Sequence, residues 1–229
     1  MVNLAERATD PELLDIGVSD EDMADSLADL QFVNRWLGNR RKLLRVMRPY
    51  LAPRADGSPS SVLDLGCASG DNLSWLSEHA SMPLMTTGVD LKWEHLRAAP
   101  DSDLFRVAAD ARALPFASGS FDVVVASLFL HHFAKGEASR VLRECARVAA
   151  RVVIINDLRR AYVLYYFGRF AFPVIFRSRV SVHDGLVSIR SAFKRDELVR
   201  EFRAAGLEVR VISSWPYRLI AVAETGVPR

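Results

Sequence analysis

Residues 61–72, SVLDLGCASGDN, restrict this chain more than any other stretch. A run of aliphatic and β-branched residues meets an acid, Asp64, and gives way to small residues and two glycines. That order reads as a buried strand, a tight turn and a helix start. Gly66 and Gly70 admit backbone angles that a side chain forbids, and their missing Cβ atoms let a ligand lie against the main chain. A nucleotide-like group suits such a turn. Close packing of helix on strand is the plainer use of the same glycines.

Acids recur at the ends of the next two expected strands, Asp90 in TTGVD (86–90) and Asp110 in LFRVAADA (104–111). In a parallel sheet each would arrive at the carboxyl edge, where open α/β sheets bind ligands. A carboxylate about twenty residues past the glycine turn can accept both hydroxyls of an adenosine ribose; capping a helix is its competing use. Residues 121–127, FDVVVAS, are nearly all apolar, as in a central strand buried on both faces, and RVVIIND (151–157) reads as a fifth strand. Strands over 208–213 and 218–224, joined by only SWPY, require an antiparallel pair.

These blocks together resemble the class I S-adenosylmethionine-dependent methyltransferases, in the small-molecule branch that includes ubiquinone- and menaquinone-type enzymes. The resemblance rests on VLDLGCASG, GVDL, AADARALPFASGSFDVVVASLFLHHF and INDLRR with the closing strand pair, in that order. The family usually has glycine where this chain has Ala68. The resemblance implies a Rossmann-like α/β fold: a seven-stranded, mostly parallel sheet with an antiparallel C-terminal strand and helices on both faces. It implies S-adenosyl-L-methionine as cofactor, held by Asp64, Gly66, Cys67, Ala68, Gly70, Asp90, Leu91, Asp110, Ala111 and Ser127. Asp90 would take the ribose, Asp110 and Ala111 the adenine, Cys67 would offer a backbone amide, and the end of the strand at Ser127 would lie beside the methionine portion. Gly66 and Gly70 do not give the G-x-G-x-x-G spacing of dinucleotide sites, which disfavours a nicotinamide-dependent oxidoreductase.

At 229 residues, half of them apolar, the chain suits one α/β domain. We divide it into an N-terminal helical cap (1–60), a cofactor-binding core (61–157), a substrate-lid insert (158–193) and a C-terminal helix with the strand pair (194–229). In the cap, Ser19 ahead of Asp20, Glu21 and Asp22 reads as a helix start, with Met23, Leu27, Leu30, Trp36 and Leu37 at helical spacing. Gly38 would end that helix and Asn39 would start another carrying Leu43, Leu44, Met47 and Leu51. Such helices either cover the cofactor cleft or simply pack on the sheet. Residues 91–99 read as a helix ended by Pro100.

Three histidines are candidate bases. His131 and His132 follow the FDVVVAS strand, and His183 precedes Asp184, which could fix its tautomer. His183 is slightly favoured, although a turn at Asp184-Gly185 explains the same residues. Cys67 and Cys145 have no metal-ligand spacing, and no metal site stands out. Both read as reduced thiols in a cytoplasmic setting, Cys145 as a small core residue.

Residues 160–179 are dense in aromatic side chains, but Arg169, Gly168 and Pro173 interrupt them, so a membrane span is not expected. A lid over an apolar acceptor fits, as do a helix packed on the sheet, a homodimer contact, or peripheral contact with a bilayer. The net charge of +2 gives no nucleic-acid groove, and no Asn- or Asp-Pro-Pro-aromatic run supports amino-base methylation. The expected function is O-methylation of a small aromatic, polyketide-like or quinone-like molecule. N- or C-methylation of a similar acceptor and a non-catalytic S-adenosylmethionine-binding module are the alternatives.

Overall fold

The computed structural model describes residues 2–36, 40–54, 56–98 and 104–226. Leu37, Gly38, Asn39 and Pro100, to which helix boundaries were assigned above, lie outside them. Seven strands form one sheet in the order β3-β2-β1-β4-β5-β7-β6. They are β1 (Ser60–Leu65), β2 (Leu84–Asp90), β3 (Phe105–Ala108), β4 (Phe121–Ser127), β5 (Ala149–Leu158), β6 (Arg210–Ser214) and β7 (Arg218–Glu224). The pairs among β1 to β5 are all parallel, whereas β7 lies antiparallel between β5 and β6. The expected mostly parallel sheet with an antiparallel end is therefore present.

Strand periodicity explains the two cores. Val123, Val125, Val152 and Ile154 point to one face, where they meet Leu43, Leu44 and Met47 of α3 (Arg40–Met47) and Leu73 and Leu76 of α4 (Asp71–His79). Their neighbours Val124, Ala126, Val153 and Ile155 point to the other, against Val141, Leu142 and Cys145 of α6 (Glu137–Val148) and Leu198 and Phe202 of α9 (Arg195–Ala204). Strands buried on both faces lose the alternation of a half-exposed sheet and read as continuous apolar runs.

The two N-terminal helices divide the roles left open by the sequence. α3 packs on the sheet. α2 (Asp20–Trp36) instead crosses the carboxyl edge, with Ser19 as expected at its start: the Asp22 amide donates to the Ser19 hydroxyl at 3.2 Å. Gln31 of α2 donates to the Ser69 hydroxyl in the glycine turn at 3.1 Å. Two further helices, α7 (Tyr162–Ile175) and α8 (Arg179–Ser191), occupy the insert, and short helices α1 (Leu13–Ile16) and α5 (Trp93–Arg97) complete the set. The turn weighed at Asp184-Gly185 is absent: both residues lie inside α8. Gly185 serves close helix packing there, since a Cβ on it would stand 2.8 Å from the Phe172 ring. Among the described residues no helix is long and apolar enough to cross a membrane. The outer face of α7 nevertheless leaves Phe170 76 % and Val174 86 % exposed.

Candidate functional site

The chain reverses sharply after β1 because Gly66 and Gly70 take left-handed angles (φ 66° and 72°). A Cβ on Gly66 would fall 2.1 Å from the Phe129 ring, and one on Gly70 would fall 2.4 Å from Leu104. Ala68, where the family that the sequence resembles usually has glycine, also sits at φ 47° and carries the strain that glycine would avoid. The turn is tied to the end of β2: the Gly66 and Cys67 amides donate to the Val89 carbonyl at 2.8 and 3.0 Å. The Ala68 amide donates to the Asp90 carboxylate at 3.0 Å. The Cys67 amide, expected to face the cofactor, is thus engaged within the fold.

A cavity of about 810 Å³ opens along this carboxyl edge. Gly66, Ala68, Asp90, Leu91, Asp110 and Ala111 line it. Asp64, Cys67, Gly70 and Ser127 are not among the residues that line it. Asp64 is buried in β1, and burial, reinforced by the charges of Asp71 and Asp90, pushes its carboxyl well above the usual range. Asp90 stands at the rim, with its carboxylate also accepting from the Lys92 amide at 3.0 Å. Asp110 is clamped by Arg112, whose Nη2 donates at 2.7 Å and whose guanidinium holds that carboxyl below its ordinary value.

Most of the remaining wall is apolar, supplied by Leu30 and Phe32 of α2, Phe129 and Phe133 after β4, and Phe167 and Phe172 of α7. One corner is different. Directly after β4, a single 3-10 turn (Leu130–His132) presents His131 and His132 to the cavity with their rings stacked 4.5 Å apart. His131 donates its backbone amide to Asp157 at 3.0 Å, and its Nδ1 is 2.7 Å from the same carboxylate. Burial opposes protonation of His131, but the Asp157 charge and hydrogen bond, aided by Glu12, outweigh it and push the imidazole up to about 10. The Nδ1 of His132 is 2.7 Å from Asp15. Burial likewise opposes its protonation, and the charges of Glu12 and Asp15 raise its pKa despite His131.

Glu12 and Asp15 were not among the residues expected from sequence. Asp15 is 117 positions from His132, so no local spacing could join them. A tethered N-terminal strap brings them in. Buried Arg160 donates to the Leu4 and Ala5 carbonyls at 3.1 and 3.2 Å while pairing with Glu197 at 2.6 Å. Arg7 reaches the His131 and Phe133 carbonyls, both at 2.9 Å. Asp184 of α8 then caps α1, accepting from the Leu13 and Leu14 amides at 2.8 and 2.9 Å. His183 does not join this group: its side chain is 48 % exposed, pairs with Asp184 at 2.8 Å, and does not line the cavity.

The architecture has wide parallels. The Methyltransferase domain family matches residues 63–152. The demethylmenaquinone methyltransferase of Corynebacterium urealyticum is 30% identical over 179 residues, covering 72% of this chain and 75% of that protein. The enzyme of the same name from Porphyromonas gingivalis is 30% identical over 120 residues, or 47% of this chain and 46% of that one. Among solved structures, a SAM-dependent methyltransferase from Aquifex aeolicus superposes with a TM-score of 0.64 at 16% identity, covering 91% of this chain and all of that one (100%). The plantazolicin methyltransferase BpumL, in complex with a triazolic desmethylPZN analog and SAH, gives a TM-score of 0.66 at 15% identity, covering 90% and 97%. With its strand order, its glycine turn and these relatives taken together, the chain belongs to the class I S-adenosylmethionine-dependent methyltransferases and uses S-adenosylmethionine as its methyl donor.

Proposed function

We propose that this enzyme O-methylates a small, largely apolar molecule bearing a ring hydroxyl, of the aromatic, polyketide or quinol type. The polar corner of Glu12, Asp15, His131 and His132, set at the end of β4 beside the aromatic side chains of the wall, is the observation that carries this reading. An apolar ring gains from burial against Phe129, Phe167 and Phe172, while that corner supplies hydrogen-bond partners for its hydroxyl.

In this reading Asp90 holds the cofactor ribose, with the turn at Gly66 and Ala68 beneath it and Asp110 and Ala111 near the adenine. The acceptor lies between that rim and α7. Glu12, whose carboxyl, despite burial, the two imidazoles hold below its ordinary value, faces its oxygen and takes the proton while an oxygen lone pair attacks the sulfonium methyl. The S–CH3 bond breaks with its electron pair left on sulfur. The cofactor carries the activated group, so the protein contributes alignment and exclusion of water. The strap with α2 acts as the cap and α7 with α8 as the lid. Val163 and Phe167 border both the cavity and a groove on the outer side of α7, which makes that side the entry path for an apolar acceptor.

The name of the two curated relatives favours a second reading, methylation of a ring carbon on a quinol-like acceptor, with the same corner binding the ring oxygen. Incubation with methyl-labelled S-adenosylmethionine and a panel of naphthols, quinols, phenols and amines, followed by NMR of the products, separates the two. O-methyl ethers support the first reading and C-methyl products the second. Transfer only to amines would refute both.

A further inference from the structure

We propose that Glu12, His131 and His132 form a binding site for one divalent transition-metal ion of the zinc type, set into the cavity wall. Two imidazole nitrogens and one carboxylate oxygen are the donor set of a catalytic zinc site with positions left open. Each histidine already commits one nitrogen: Nδ1 of His131 to Asp157 and Nδ1 of His132 to Asp15, both at 2.7 Å. Carboxylates in that outer position orient metal-binding imidazoles and leave Nε2 as the donor.

The two Nε2 atoms converge on the same oxygen. Glu12 Oε1 is 3.5 Å from Nε2 of His131 and 3.9 Å from Nε2 of His132, and the three donor atoms lie within 4.8 Å of one another. Tetrahedral bonds of about 2.0–2.1 Å would place donors about 3.4 Å apart, so small side-chain movements close the set. The Nε2 of His131 is also buried without a hydrogen bond, in a side chain only 3% exposed. The Ser188 hydroxyl donates to Glu12 Oε1 and helps fix the carboxylate. All three ligands line the cavity, so the open positions face the space assigned to the acceptor.

What the ion would do there rests on the O-methylation reading. With the ion bound, Glu12 would serve as a ligand instead of taking the proton: coordination would acidify the acceptor hydroxyl, its proton would leave to bulk water, and the oxygen pair would form the C–O bond as the S–CH3 bond breaks. The site itself is tested without turnover. Metal-stripped protein is titrated with Zn2+ by calorimetry and with Co2+ by visible absorption, alongside Glu12→Gln, His132→Gln and the exposed control His79→Gln, with melting curves confirming that each is folded. One equivalent should bind, about tenfold or more weaker in the two site variants and unchanged in the control. Absence of saturable binding, or an affinity that Glu12→Gln leaves intact, would overturn the site and leave a charge network only. O-methyl transfer is assayed separately with and without EDTA. Undiminished transfer in a protein that binds no metal overturns the metal while the acceptor reading stands. Stoichiometric binding lost in the site variants upholds the metal even if no O-methyl product appears.

Discussion

Replacing Arg160 with methionine should loosen the strap and disable the site without touching the cofactor rim. The guanidinium is fully buried, pairs with Glu197 at 2.6 and 3.0 Å, and donates to the carbonyls of Leu4, Ala5 and Ala192. Breaking a buried pair by removing one partner costs about 3–5 kcal/mol. Glu197 is itself 21% exposed and regains some water, and the methionine stem keeps part of the packing, so we expect the lower end, about 3 kcal/mol. At roughly 2–4 °C per kcal/mol for a domain of this size, melting should fall by about 6–12 °C. Glu12 and Asp15, no longer delivered to the histidine pair, should lose methyl transfer at least tenfold at a temperature where the variant is folded. S-adenosylmethionine affinity, read by calorimetry, should stay within about twofold, because Asp90 and the glycine turn do not contact the strap's anchor. A stability loss under about 1 kcal/mol, or a cofactor affinity that falls in step with transfer, would refute this division between strap and rim.

Three further outcomes follow from single residues. Ala68→Gly should relieve a left-handed alanine: about 1–2 kcal/mol of strain, less about 0.4–1 kcal/mol of added unfolded-chain entropy, leaves a gain of roughly 0.5–1 kcal/mol in urea unfolding. Asp122 is buried, which opposes its ionisation, yet the Ser61 amide and Arg54 at 2.9 Å, with Arg151 at 3.2 Å, hold its carboxyl below the usual range. Its stabilisation is therefore complete above the unfolded pKa of about 3.9 and lost as pH falls through the lower folded value; the stability gap to Asp122→Asn should be flat near neutrality and close under acid. Burial pushes the Cys145 thiol up to about 12 and raises that of Cys67 as well, so a thiol reagent at neutral pH should label neither until urea unfolds the protein.

The parts of the fold legible in sequence are those governed by local rules. SVLDLG, GVD and FDVVVAS announce their strands because both faces are buried, and SWPY leaves β6 and β7 no arrangement but antiparallel. Asp90, Leu91, Asp110 and Ala111 reach the cavity because parallel strands deliver their ends to one edge. The backbone bond from Cys67 to Val89 was not legible, since it depends on how β2 lies against the turn. Nor was the polar corner: Glu12 and Asp15 arrive through a strap pinned by Arg160, Arg7 and Asp184, residues spread across the chain. Asp184-Gly185 has the composition of a turn, yet here the glycine lets α7 approach α8 and the aspartate caps another helix. His183, one position away, consequently turns outward.

The claim on which the site depends is that Asp90, at the end of β2, holds the cofactor ribose. Calorimetric titration of S-adenosylmethionine into wild type and Asp90→Ala, with circular dichroism showing both folded, tests it directly. Loss of two good hydrogen bonds to a charged acceptor, about 1.5–3 kcal/mol each, should weaken binding by roughly a hundredfold or more. Wild-type affinity in the folded variant would contradict the assignment.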